Sequence, residues 1–171
     1  NLTLQNYGHS TQNGYNSMVY VDVDSPTALG LGGTPTLNSS SATLQYSTQN
    51  GAIPECSNVV YAGLYWTGRA HNIGTSPNTF TVEQSGITKN FNKQKIQLKG
   101  PTAGVYTEFT AAPNNIYYPT TTDEFMYSAY VEVTDYVRDS GIGQYTVADI
   151  ALSAGSGGGT GYYGGWGLVV V

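Results

Sequence analysis

The sequence predicts an all-β fold: a β-sandwich, jelly-roll-like, with about eight or nine strands and one short helical turn. Three observations carry this. Apolar residues recur with period two along most of the chain. Turn-forming clusters such as Gly32-Gly33-Thr34-Pro35, Ser76-Pro77-Asn78 and Ala112-Pro113-Asn114-Asn115 separate the alternating segments. Charged residues make up only 10% of the chain, with 15 Tyr and 22 Gly among 171 residues. That is far below the roughly 25% charge of an ordinary globular chain, and it excludes a helical bundle rich in Ala, Leu, Glu and Lys.

The elements follow in order. Met18–Asp24 alternates, with Val19, Val21 and Val23 expected inside and Met18, Tyr20, Asp22 and Asp24 on the wetter face. Ser41–Tyr46 repeats the pattern through Ala42, Leu44 and Tyr46. Asn58–Thr67 is apolar on both faces and reads as a central strand covered on both sides. Within it, Gly63 leaves room for a ring or a neighbouring chain to approach closely. Thr79–Gln84, Lys95–Lys99 and Val105–Thr110 are shorter strands. Phe125–Val133 places Phe125, Tyr127, Ala129, Val131 and Val133 on one face. The helical turn is expected at Thr134–Arg138, with Thr134 as its cap and Gly141 near its end. Gln144–Leu152 and Gly165–Val171 complete the set. No internal repeat or domain boundary interrupts the run, so residues 1–171 read as one domain, a fragment of a longer chain.

Charge and composition narrow the function classes. The formal charge is −5 with only 6 Lys and Arg, which argues against a nucleic-acid binder and its concentrated basic face. No stretch approaches the ~20 apolar residues of a membrane helix. The single Cys56 cannot form an internal disulfide, although a partner outside this sequence would be able to pair with it.

Candidate chemistry is sparse. His9 and His71 sit in polar, Asn- and Gly-containing stretches and read as loop residues, and no Ser lies in a G-x-S-x-G turn. The run Gly159-Thr160-Gly161-Tyr162-Tyr163-Gly164 matches G-x-G-x-x-G, but a strand follows it where a dinucleotide site needs a helix N-terminus. It reads as a loop whose Tyr162 and Tyr163, with Trp166, offer flat aromatic faces to a sugar ring. These three are the candidate ligand-binding residues; the alternative is that Trp166 is core and the tyrosines pack the loop. Asp22 and Asp24, two apart on a strand, are expected to leave one face about 7 Å apart. They form a candidate calcium pair to which Asp123 and Glu124 would add oxygens, weighed against a solvated strand end. Lys89, Lys93, Lys95 and Lys99 gather four of the six cations, read first as lysines guarding an exposed edge strand and second as a patch for an anionic polymer. A Lys–Asn or Lys–Asp amide crosslink needs a buried lysine, which the sequence does not mark. The reading is therefore non-enzymatic, with no cofactor beyond a possible calcium ion.

Several blocks together resemble a known family. They are Tyr20-Val21-Asp22-Val23-Asp24, Asn38–Leu44, Cys56–Trp66 with its A-G-L-Y-W core, Val133–Val137, Gly143–Ile150, and Gly164–Val170 with its G-W-x-L-V-V pattern. In that order they resemble the amino-terminal region of the very large SprB-like gliding-motility and cell-surface adhesins of Bacteroidetes. The resemblance implies a secreted, type IX-exported protein on the exterior of the outer membrane, forming long filaments. Its implied partners are surface polysaccharide or an abiotic surface, other domains of the same long chain, and cell-envelope motility and secretion proteins. It supplies no catalytic residues, and no block matches between Asn72 and Thr122. Two other readings stand beside it: a carbohydrate-binding module of a secreted polysaccharide-degrading enzyme, and a filament subunit in which Leu168–Val171 joins a neighbour's sheet by β-strand addition.

Overall fold

The computed structural model describes residues 2–4, 17–24, 30, 34–70, 78–119, 126–156 and 162–171. It is an all-β, sandwich-like protein. Among the described residues the strands are β1 (Leu2–Leu4), β2 (Met18–Tyr20), β3 (Ser39–Leu44), β4 (Ala62–Arg69), β5 (Thr79–Gln84), β6 (Ile87–Asn92), β7 (Lys95–Lys99), β8 (Thr107–Thr110), β9 (Ile116–Tyr117), β10 (Met126–Glu132), β11 (Gly143–Ala148) and β12 (Gly164–Val170), with one α-helix, α1 (Thr134–Ser140), and three short 3-10 turns. Two four-stranded antiparallel sheets form the sandwich, one ordered β12-β4-β10-β9 and the other β3-β11-β7-β8. The pairs β1-β2 and β5-β6 add two small sheets.

Alternation builds the core. On β4 the inward residues are Ala62, Leu64 and Trp66, and on β10 they are Tyr127 and Ala129; all are buried. They meet Ile96 and Leu98 of β7 and Tyr145 and Val147 of β11 in one apolar cluster. The Trp66 indole N–H donates to the Lys93 carbonyl at 3.0 Å, so its one polar group is satisfied inside. Helix α1 packs Val137 into the core, and its Tyr136 meets Phe109 edge-on at 5.3 Å.

Four local expectations change. Strand β4 is central, flanked by β12 and β10, but only one of its faces is covered: Tyr65 and Thr67 are exposed. The Met18–Asp24 strand ends at Tyr20 with its phase reversed. Met18 is buried and the Tyr20 hydroxyl donates to the Leu152 carbonyl at 2.5 Å, while Val23 is exposed. The strand expected over Gln144–Leu152 stops at Ala148, because Asp149 takes a left-handed backbone with φ 54°. Thr134 does not cap α1; Val133 does, while the Thr134 hydroxyl donates to Glu132 and accepts from the Ala62 N–H.

Three glycines of the β12-β4 pair are demanded by packing. A methyl added at Gly68 would lie 2.6 Å from Leu152 Cδ2, and one at Gly164 would lie 2.4 Å from the same atom. At Gly63 it would meet the Tyr61 hydroxyl at 2.5 Å and the rings of Tyr65 and Tyr130 at 3.0 Å, the close approach that the sequence leads one to expect there. Gly68→Ala is expected to destabilise the fold by about 1–3 kcal/mol through overpacking. A urea unfolding midpoint equal to that of the wild type would show that Leu152 yields without cost.

Candidate functional site

The two outer faces of the sandwich differ in kind. The β3-β11-β7-β8 sheet is covered on its outer side by the segments around 20–24 and 34–38 and by β6, and the space between is polar. Asp149 lies at its centre. Its carboxylate accepts from the Leu37 N–H at 2.9 Å and from Gln97 Nε2 at 2.8 Å, and it pairs with Lys89 at 2.5 Å. Burial raises the Asp149 carboxyl above its ordinary pKa despite the opposing pull of Lys89. The left-handed backbone at this residue places a short acceptor chain where a strand would otherwise continue.

Asp22 and Asp24 join this network rather than projecting in parallel. The chain bends at Val23–Asp24, past the end of β2. Asp22 accepts from Ser39 Oγ at 2.5 Å and Thr36 Oγ1 at 2.6 Å, and its Oδ1 also receives the Asp24 N–H at 3.0 Å. Asp24 pairs with Lys99 and accepts from the Tyr106 hydroxyl at 2.6 Å. Burial pushes the Asp24 carboxyl up, but the Lys99 and Tyr106 hydrogen bonds and the Lys99 charge outweigh it, and its pKa lies below the ordinary value. Among the described residues no group of three or more His, Cys, Asp or Glu is placed to hold a metal ion.

The four lysines do not form an exposed row. Lys93 is fully buried, its ammonium 5.6 and 5.8 Å from the ring centroids of Tyr118 and Tyr127. Lys89 and Lys99 are held by Asp149 and Asp24, and Lys95 pairs with Glu108 at 2.6 Å. Arg138 bonds Asp135 at 2.8 Å and the Val59 carbonyl, and Arg69 is buried with its guanidinium 5.5 Å from the Tyr162 ring centroid. All six cations of the sequence are therefore engaged within the chain. Lys89 and Lys99 satisfy buried or half-buried carboxylates and Lys93 and Arg69 lie by ring faces, while the pairs of Lys95 and Arg138 are exposed at the surface.

The outer face of the β12-β4-β10-β9 sheet is open. Its register lines up Gly165, Thr67 and Ser128 in one row and Gly167, Tyr65 and Tyr130 in the next, with Tyr117 of β9 beside Ser128. Tyr65 is 41% exposed and Tyr117 61% exposed. Tyr65 and Tyr130 stack at 4.8 Å between centroids, and the Tyr61 hydroxyl donates to that of Tyr130 at 2.9 Å and lies 3.2 Å from that of Tyr65. The hydrogen bond to Tyr130 raises the pKa of the Tyr61 hydroxyl, and the hydrogen bond to Tyr61 raises that of Tyr65. A shallow depression of about 340 Å³ lies between Tyr65, Thr67, Ser128, Gly165 and Gly167.

The residues singled out in the sequence divide around this face. Tyr163, 40% exposed, borders it, its hydroxyl 3.1 Å from the Met126 sulfur. Tyr162 packs on Arg69. Trp166 points inward, its N–H donating to Ser40 Oγ at 2.8 Å, and with Leu44, Tyr145 and Leu168 it lines a lateral cleft of about 380 Å³ between the edge strands β3 and β12. His9, His71, Asp123, Glu124, Phe125 and Gly159–Gly161 lie outside the described residues. Sequence reasoning missed Tyr61, Tyr65 and Tyr130. The signal was present in the period-two spacing of Tyr61, Gly63 and Tyr65, which puts all three on one face.

Asp24 titration gives a signed prediction. Its folded-state pKa is depressed, so its contribution is present above the unfolded carboxylate pKa and is lost as pH falls through the folded value. Tyr106→Phe removes one donor to this carboxylate and is expected to cost about 1.5–3 kcal/mol near neutrality. In urea titrations the gap between wild type and variant narrows as the buffer is taken below about pH 4. A gap constant across that range would mean that Tyr106 acts by packing alone.

Comparison of the chain with protein-family models, with curated proteins and with solved structures finds no match.

Proposed function

We propose that this chain is an attachment domain of a long, secreted cell-surface adhesin of the SprB-like kind, holding cells to polysaccharide or bare surfaces during gliding. The observation that carries the reading is the open outer sheet face. It presents Tyr65, Tyr117 and Tyr163 to solvent around bare glycine backbone, and its one cation, Arg69, is buried. Such a face makes many weak, uncharged contacts with a flat polymer, the kind of contact that adhesion to a surface needs. The blocks that carry the resemblance support it further: A-G-L-Y-W lies on β4 and G-W-x-L-V-V on β12, the paired strands that form this face. The same face serves a carbohydrate-binding module of a polysaccharide-degrading enzyme equally well. Neighbouring sequence separates the two, since a hydrolase next to this domain favours the module.

Deleting the domain from its parent chain is expected to reduce attachment and movement of cells on glass and agar. Unchanged attachment and movement would remove the adhesive role.

A filament subunit is the second reading, and the lateral cleft favours it. Strands β3 and β12 are both edges of their sheets, and the cleft between them is partly apolar. An extended segment of a second copy laid on β12 would pair with its free backbone groups and cover Leu168. This reading expects sedimentation to show concentration-dependent polymers of the isolated chain. A monodisperse monomer across the accessible concentration range counts against it.

A further inference from the structure

We infer that the depression over Gly165 and Gly167 is a binding site for a neutral polysaccharide, with one sugar ring lying on the glycine backbone against the free face of Tyr65. The inference deepens the attachment reading by naming the chemistry of the surface recognised.

The glycines are the first argument. A glycine inside a strand weakens it, and where it persists something usually approaches the backbone closely. Gly63, Gly68 and Gly164 obey that rule through contacts within the fold. Gly165 and Gly167 do not: a methyl built on either meets nothing within 4 Å. Both are in regular ladder pairing, with Thr67 and Tyr65 respectively, so neither serves a turn. The fold has room for side chains there and no use for their absence. Space kept bare over a pleated backbone suits a flat ligand.

The wall of the depression is the second argument. Tyr65 is fixed on one side by its stack with Tyr130, on the strand opposite to β12. The ring leans over Gly63, and its face away from Tyr130 stacks on no other aromatic ring among the described residues, while Gly167, its ladder partner on β12, stays bare. A ring already held by a stack and a hydroxyl contact loses little freedom on binding. The C–H face of a pyranose with equatorial hydroxyls is apolar and matches it. Ser128 places a hydroxyl on the same row as Gly165, and Thr67 Oγ1, which donates to the Tyr127 carbonyl at 2.6 Å, keeps acceptor capacity there for a sugar hydroxyl.

Charge selects among polysaccharides. The one cation on the outer row of β4, Arg69, is buried, and the one ionisable carboxylate described on this face is that of Glu132, opposite Gly63. A uronate or sulfate polymer would meet no exposed cation there and one anion. A neutral glucan, galactan or chitin would meet a ring face, hydroxyls and bare backbone. Because β12 is the edge of its sheet, the depression is open on that side and admits a continuous chain rather than only a chain end.

The test uses the purified 171-residue chain, with microcrystalline cellulose, chitin and agarose as neutral probes and alginate as the anionic one. The expected result is binding to at least one neutral probe that persists in high salt, with none to alginate. Gly167→Val fills the floor of the depression with a good strand former, so the melting temperature is held or raised, and the affinity falls about tenfold or more. Tyr65→Ala removes the wall and gives a loss of similar size. Failure of the wild type to bind any neutral probe, undiminished binding by both variants, or salt-sensitive binding to alginate alone would each overturn the inference. So would a dimer that Gly167→Val disperses, which would make a second copy the occupant. Attachment of chain-coated beads to glass, measured in parallel, separates the two proposals: beads that attach while neutral probes are ignored leave the adhesive reading standing without this site.

Discussion

Burial of Trp66 is the constraint from which the rest of this structure follows. The indole is the largest fully buried side chain, and its N–H donates to the Lys93 carbonyl. An aromatic of this size dominates the apolar surface removed from water in a small sandwich. Once Trp66 and Leu64 face inward, the pleat of β4 forces Gly63, Tyr65 and Thr67 outward. The hydrogen bond to Lys93 also anchors the turn between β6 and β7 against the sheet, carrying the β5-β6 hairpin into place. One strand thus sets the core and the composition of the open face together, so substitution at Trp66 would disturb both.

The second organising feature is where the charge goes. Among the described residues four of the cations enter ion pairs, and the two deepest of these pairs, Lys89 with Asp149 and Lys99 with Asp24, lie beneath the segments that cover the β3-β11-β7-β8 sheet. Buried pairs of this kind add little net stability, because desolvation cancels much of the attraction. They do fix which segment sits where, since a misplaced partner leaves a charge in the interior. The polar cluster therefore specifies the covered face, and on the opposite face the one cation, Arg69, is buried.

Legibility varied from element to element for definite reasons. The alternation in Phe125–Val133 matches β10 because that strand is central and one-sided. The hairpin at Gln84–Ile87 escaped notice although Ser85-Gly86 is a hairpin signal, and both residues have positive φ, 52° and 79°. Asn58–Thr67 reads as doubly covered because tyrosine counts as apolar in a periodicity scan, yet its hydroxyl lets it face water in a bonded cluster. The Met18–Asp24 pattern misleads because valines dominate it, whereas Met18 forms a backbone bridge to Gly155 and is buried, and the Tyr20 hydroxyl reaches the Leu152 carbonyl. The lysines were misplaced for a similar reason: a run of like charges carries no record of its partners, and Asp24 and Asp149 are far away in sequence.

Composition and period-two spacing by themselves determined the all-β class, the short helix after Val133, the centrality of the A-G-L-Y-W strand and the scarcity of surface cations. These properties are local or summed over the chain, so one dimension suffices to read them. Only the tertiary structure decided which tyrosines reach solvent, which lysines are consumed, and which glycines stand bare rather than beneath a neighbour. Each of those depends on the atoms that a distant strand brings within a few ångströms, and sheet order, not sequence order, chooses that strand.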